Sequence, residues 1–180
     1  AKAARFPFIS GNLYWKGTSK LFLPDSVVVE RAGIKIGIFG LFHPSLPLPD
    51  ELEAKDPVEH ARALVKKLKG QGADMIVALS HQGFQRDTEL ANAVFGIDLI
   101  VGAHTQSLLQ SPYLEDFTLI VQLSNQGQML GMVEYDLFKT PPMRTQFVVA
   151  ELDSQFDDGP PGLANPMKSL VAVTNLRMAE

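Results

Sequence analysis

The chain has no cysteine, which excludes disulfides and every metal site built on thiolates while leaving the redox compartment open. No apolar run approaches the roughly 20 residues that a membrane-spanning helix needs, and the first residues lack the pattern of a signal peptide. An excess of positive charge is lacking too. Against 16 Lys and Arg stand 20 Asp and Glu, a net charge of −4, so there is no broad basic field for a nucleic acid polymer. Low-complexity tracts are absent. What remains, 180 residues with 46% hydrophobic and 20% charged, is globular material sufficient for one sizeable core.

The stretch from Ala73 to Gln106 reads twice as an apolar strand ending in a histidine loop. Met75 to Leu79 is stopped by Ser80-His81-Gln82-Gly83, and Ile97 to Val101 by Gly102-Ala103-His104-Thr105-Gln106. Strands this apolar are buried on both faces. Between them, Asp87 to Phe95 reads as a helix with Leu90, Ala91 and Val94 inward and Gly96 as its terminator. Strand, helix and strand with short links make the two strands parallel neighbours, so His81 and His104 converge at their carboxyl ends, where open α/β sheets bind ligands. Imidazole suits zinc, manganese, iron or nickel, and the Gln106 amide oxygen is a harder neutral donor. In an extended segment residues two apart share a side, so His104 and Gln106 are expected to face one pocket. The plainer alternative makes both histidines loop residues bonded to backbone carbonyls. Arg86 and Asp87 read most simply as an exposed ion pair or helix cap, and alternatively as supports of the His81 loop.

Elsewhere, Arg5 to Leu13 reads as a short edge strand around Pro7, with Tyr14, Trp15 and Phe22 covering a core margin. Ser26 to Glu30 and Ile34 to Leu41 read as a hairpin turning at Arg31-Ala32-Gly33. Phe42 to Pro57 is a proline-rich loop holding His43. Asp56-Pro57-Val58-Glu59 opens a helix, with Asp56 as cap and Val58, Ala61, Leu64, Val65 and Leu68 as its apolar stripe. His60 reads as a partly exposed helix residue. Phe117 to Leu123, Met129 to Leu137 and Thr145 to Leu152 read as strands of a second sheet. Asp153 to Gly162 reads as a linker, followed by a helix from Asn165-Pro166.

Several of these segments together resemble the 5′-nucleotidase/UDP-sugar hydrolase family of calcineurin-like two-metal phosphoesterases. The matching pieces are Phe6-Pro7-Phe8-Ile9-Ser10-Gly11-Asn12, Gly33 to Leu41, Leu79-Ser80-His81-Gln82-Gly83, Gly102-Ala103-His104-Thr105-Gln106 and Gly127-Gln128-Met129-Leu130-Gly131. Their order and spacing fit over Arg5 to Leu137. The resemblance implies an α/β fold, a four-layer α/β/β/α metallophosphoesterase sandwich, here incomplete for want of its N-terminal strands. It spans residues 1–152, with 153–180 as linker and connecting helix.

The same resemblance implies that His81, His104 and Gln106 are metal ligands and that the complete enzyme holds two divalent ions, Mn, Zn, Fe or Ni. It places the segment of His43 near the metal site, which makes His43 a candidate for substrate contact, with a solvated loop histidine as the plainer alternative. Asn125, between strands on the site-facing side, is the other candidate for substrate contact, with an alternative as a turn residue of Asn125-Gln126-Gly127. The family's Asp-x-His, Gly-Asp and Gly-Asn-His-Glu motifs are absent, and Leu13 follows Gly11-Asn12 where a histidine belongs. The chain is therefore expected to begin inside the catalytic domain, to contain no catalytic acid or base, to bind metal weakly or not at all, and to be inactive alone. The implied substrate is a small phosphoester, nucleotides first, and the implied location periplasmic or extracellular. Self-association through an exposed sheet edge is expected. The rival reading is a non-catalytic binding or assembly domain on the same fold.

Overall fold

The computed structural model describes residue 4 and residues 6–124, 129–136 and 143–151. The chain divides into two compact units, residues 1–122 and 123–180.

The first unit is a six-stranded sheet backed by two helices. In chain order its elements are β1 (Leu13–Trp15), β2 (Ser26–Arg31), β3 (Ile34–Phe42), β4 (Leu52–Ala54), α1 (Pro57–Gly70), β5 (Met75–His81), α2 (Phe84–Ala93), β6 (Leu99–Gly102), β7 (Tyr113–Glu115) and β8 (Thr118–Gln122). The sheet order is β2-β3-β5-β6-β8-β7. Four parallel strands, β3, β5, β6 and β8, lie in the centre, and an antiparallel strand closes each edge. β1 and β4 form a small separate pair. This is one helical layer on one sheet, which accounts for two layers of the expected four.

Local chemistry explains most elements. The β2–β3 hairpin turns through Ala32 and Gly33, both at positive φ. Helix α1 starts where the Asp56 carboxylate accepts the N–H of Glu59 at 2.7 Å, and Pro57 sits at the first turn, where no donor is needed. Its stripe, Ala61, Leu64, Val65 and Leu68, is buried. That stripe packs with Leu90, Ala91 and Val94 onto Phe39, Leu41, Ile76, Ala78, Ile100 and Ile120 of the sheet. The opposite face is less covered, with Leu79 43% and Val101 40% exposed.

Three expectations change. Residues 6–12 are not a strand. Ser10 and Gly11 donate singly to the carbonyls of Pro24 and Gly40, and buried Asn12 uses its side chain as a staple, donating to the carbonyls of Phe42 and Lys55 and accepting the N–H of Phe42. Helix α2 begins at Phe84 rather than Asp87. Strand β8 belongs to the first sheet, not a second one: all five of its residues are buried and β7 covers its outer edge, as an apolar central strand requires.

In the second unit, β9 (Met129–Asp136) and β10 (Met143–Glu151) pair as an antiparallel hairpin with an irregularity between Arg144 and Gln146. The expected linker, the helix after it and Asn125 lie outside the described residues.

Candidate metal centre

Strand register places the histidine ends. Phe42 lies opposite His81, and Ser80, Gly102 and Gln122 form one row across β5, β6 and β8. Alternation sends Ser80 and Gln122 into the buried, helix-facing layer and His81 to the other face. There His81 stacks on Phe42, with ring centroids 5.7 Å apart and planes 9° apart. His104 meets His81 edge-on at 5.2 Å. The structure thus brings the two loop histidines together at the carboxyl ends of neighbouring parallel strands. Burial, and after it the neighbouring His104, lower the pKa of His81, which favours the neutral imidazole that a metal requires. A cavity of about 340 Å³ runs along this face, with Phe42, Leu79, His81 and Val101 in its wall.

The second histidine loop is not extended. His104 has φ 82° and Gln106 φ 55°, so the two-residue alternation expected for an extended segment does not apply between them. Among the described residues, the other non-glycine positions with positive φ, Ala32 and Asp116, occupy tight turns between antiparallel strands. A left-handed non-glycine residue costs roughly 1–3 kcal/mol and persists only where its surroundings hold it. Gln106 is exposed.

Beneath the histidines lies a buried polar layer. Asp87 is fully buried and accepts the Ser80 hydroxyl on Oδ1, while the Gln82 amide donates to the same hydroxyl at 3.1 Å. Burial pushes the Asp87 carboxyl up to about 7, against the lowering effect of the Ser80 bond. A Cβ on Gly102 would lie 2.5 Å from Asp87 Oδ2, so only glycine lets β6 pass this carboxyl. Of the two residues expected as an ion pair or cap, Arg86 does pair with Glu89 at 3.0 Å on the surface. Asp87 is neither exposed nor a cap. Its helical position one turn into α2 points it under the sheet, and the shift of the helix start is what hides this from the sequence.

His43 is placed differently. Its Nδ1 is 2.6 Å from the Ser45 hydroxyl, and it lines a separate cavity of about 260 Å³ with Gln82, Arg86 and Glu89. Among the described residues, no group of three or more His, Cys, Asp or Glu side chains is placed to hold a metal ion. The histidine pair fits part of a divalent metal centre by its chemistry: two imidazoles within reach of each other, one of them favoured in its neutral form. A pair of dications roughly 3.5–4 Å apart needs carboxylates as well.

No protein-family model matches the chain. It is 33% identical over 135 residues to the uncharacterized metallophosphoesterase YunD of Bacillus subtilis, an alignment covering 73% of this chain and 29% of that protein. It is 31% identical over 148 residues to the snake venom 5′-nucleotidase of Naja atra, covering 74% of this chain and 28% of that one. A solved structure, a 5′-nucleotidase precursor from Thermus thermophilus, superposes with a TM-score of 0.70 at 27% identity over 99% of this chain and 39% of its own. The chain therefore spans less than a third of the length of these two curated relatives.

Fold and relatives together place the chain with the metallophosphoesterases, as a segment that shares the α/β fold of calcineurin-like phosphoesterases. Within that class it is similar to several proteins named 5′-nucleotidase and corresponds to part of their length. Divalent metal ions go with this class.

Proposed function

We propose that His81, His104 and Gln106 are ligands in the two-metal centre of a phosphoester hydrolase that acts on nucleotides. The observation that carries this reading is the approach of the two imidazoles to 5.2 Å at adjacent strand ends, in a chain similar to proteins named 5′-nucleotidase. Two divalent ions supply such a reaction with an activated water and with charge neutralisation at the phosphoryl oxygens. The contribution of this chain's residues is narrower. His81 offers a ring stacked on Phe42, and His104 and Gln106 belong to the adjoining loop, both at positive φ. Two dications need carboxylates as well, and because the family's Asp-x-His and Gly-Asp motifs are absent from the sequence, this chain alone is expected to be inactive.

His43 and Asn125 are assigned to substrate contact on the sequence alone, and His43 lines a cavity separate from that of His81. A periplasmic or extracellular location accords with the neighbour described as a 5′-nucleotidase precursor.

The test is phosphate release from AMP with added manganese, using the full-length protein beside its His104→Ala variant. Metal-dependent release that the substitution abolishes is the expected result. No release from AMP or from a generic phosphodiester by correctly folded protein would overturn the reading in favour of a binding or assembly domain.

A further inference from the structure

Two residues proposed as ligands occupy backbone conformations that ordinary side chains avoid, and something must hold them there. The neighbouring hydrogen bonds identify what does. Gln122, the last residue of β8, is 1% exposed and lies in register beside Gly102, directly under the His104 loop. Oriented so that its carbonyl faces donors, its amide oxygen accepts the backbone N–H of Gln106 at 2.9 Å, the N–H of Ser107 at 3.0 Å and the Thr105 hydroxyl at 2.9 Å. Thr105 Oγ1 also accepts the N–H of Phe84 at 3.2 Å, which ties the loop to the first turn of α2 just beyond the His81 loop. The fit is close, since a Cβ on Gly83 would lie 2.7 Å from the Thr105 methyl.

We infer that Gln122 and Thr105 form a clamp that positions the His104–Gln106 loop, with Gln122 as a positioning residue for the metal centre although it touches no metal itself. The chemistry requires a residue of this kind. Consecutive N–H groups aimed in one direction are what a left-handed loop produces, and buried N–H groups demand an acceptor. A side-chain amide at the end of the adjacent strand supplies one fixed by the sheet rather than by the loop. The Thr105 hydroxyl then couples that acceptor to α2, so the two histidine loops keep a common register. This inference rests on the proposed ligand roles of His104 and Gln106, and supporting shells of this kind set ligand geometry in metal sites generally.

The experiment uses the full-length protein and reads two quantities. Amide hydrogen exchange at Phe84, Gln106 and Ser107 reports the clamp without any metal, and Mn²⁺ titration reports its consequence. Gln122→Met, which keeps the length and removes both polar atoms, is expected to speed exchange at Gln106 and Ser107 at least tenfold and to weaken Mn²⁺ binding about tenfold. Thr105→Val is expected to speed exchange at Phe84 and to weaken Mn²⁺ binding in the same direction, and Thr105→Ser is expected to restore both. Because Thr105 is exposed, its variants keep the test decisive should Gln122→Met fail to fold. Unchanged exchange at these amides overturns the clamp whatever the metal does. Faster exchange with unchanged Mn²⁺ affinity, while His104→Ala lowers that affinity, overturns the positioning role alone. A His104→Ala variant that binds Mn²⁺ as tightly as the parent overturns the ligand reading, and the positioning role falls with it.

Discussion

Asp87 gives the structure a pH dependence of defined sign. Its carboxyl ordinarily titrates near 3.8 and is raised to about 7 by burial. Below pH 3.8 the folded and unfolded chains both hold the proton. Between 3.8 and 7 the folded state keeps a proton that the unfolded chain has released, so each pH unit removes about 1.4 kcal/mol of stability. Above 7 the loss is complete, and it sums to about 4 kcal/mol. Replacing the acid by its neutral isostere, Asp87→Asn, retains an oxygen to accept the Ser80 hydroxyl and removes the titration. The variant should match the parent near pH 4 and exceed it by about 4 kcal/mol at pH 8. In urea, where a slope near 2 kcal/mol/M is ordinary, that is a midpoint shift of about 2 M. The assay is urea unfolding of the full-length protein and its variant at intervals from pH 4 to pH 8, followed by hydrogen exchange at core amides of β5 and β6. His81 works in the opposite sense. Its pKa is lowered, so its share of stability is lost as pH falls below the ordinary histidine value, but it titrates in both proteins and cancels from the difference. A difference between parent and variant that stays constant across the range would refute the account of Asp87 as a neutral buried acid.

Two other perturbations follow from the same geometry. Gly102→Ala drives a methyl against Asp87 Oδ2, and overpacking at a site with no slack should cost about 1–3 kcal/mol. Unfolding of Gly102→Ala, Asp87→Ala and the double variant should show a smaller cost once the carboxyl is gone, and strictly additive changes would show that the contact does not matter. Self-association of the isolated chain is expected from the sheet face rather than its edges. Both edges end in antiparallel strands, of which β2 carries Glu30 and Arg31, whereas Leu79 and Val101 stand open on the face. Sedimentation should show species heavier than a monomer at high concentration, reversed by Val101→Lys, and a clean monomer throughout would refute it.

The parts of the fold that are legible in the sequence are those whose signals are local. Asp56 and Pro57 announce α1 because cap and first-turn chemistry are satisfied within four residues. The parallel pairing of β5 with β6 follows from two apolar runs separated by a short helix, and the positions of His81 and His104 follow from where those runs stop. Strand β8 escapes its correct sheet for the opposite reason. An apolar run carries no mark of which sheet it joins, and its place beside β6 is decided by a crossover that composition does not record. The start of α2 is hidden because Gly83, at φ 91° and without a side-chain cap, replaces the usual polar cap.

The site is legible only in its ligand types, and the reason lies in the backbone. Reading His104 and Gln106 as neighbours on an extended segment ignores that the loop must leave β6 at Gly102 and pass over Asp87. That path bends the chain, and His104 and Gln106 take the bend in left-handed conformations. Nothing in the segment His104-Thr105-Gln106 signals this, since none of the three residues is glycine or asparagine. What makes the conformation tenable is distant in sequence: Gln122, at the end of the next parallel strand, accepts the N–H groups that the bend exposes. A polar residue closing an otherwise apolar run, as Gln122 closes Leu119 to Val121, is the one trace of this in the sequence. A buried amide must find partners, so its position at a strand end beside a histidine loop marks it as that loop's support.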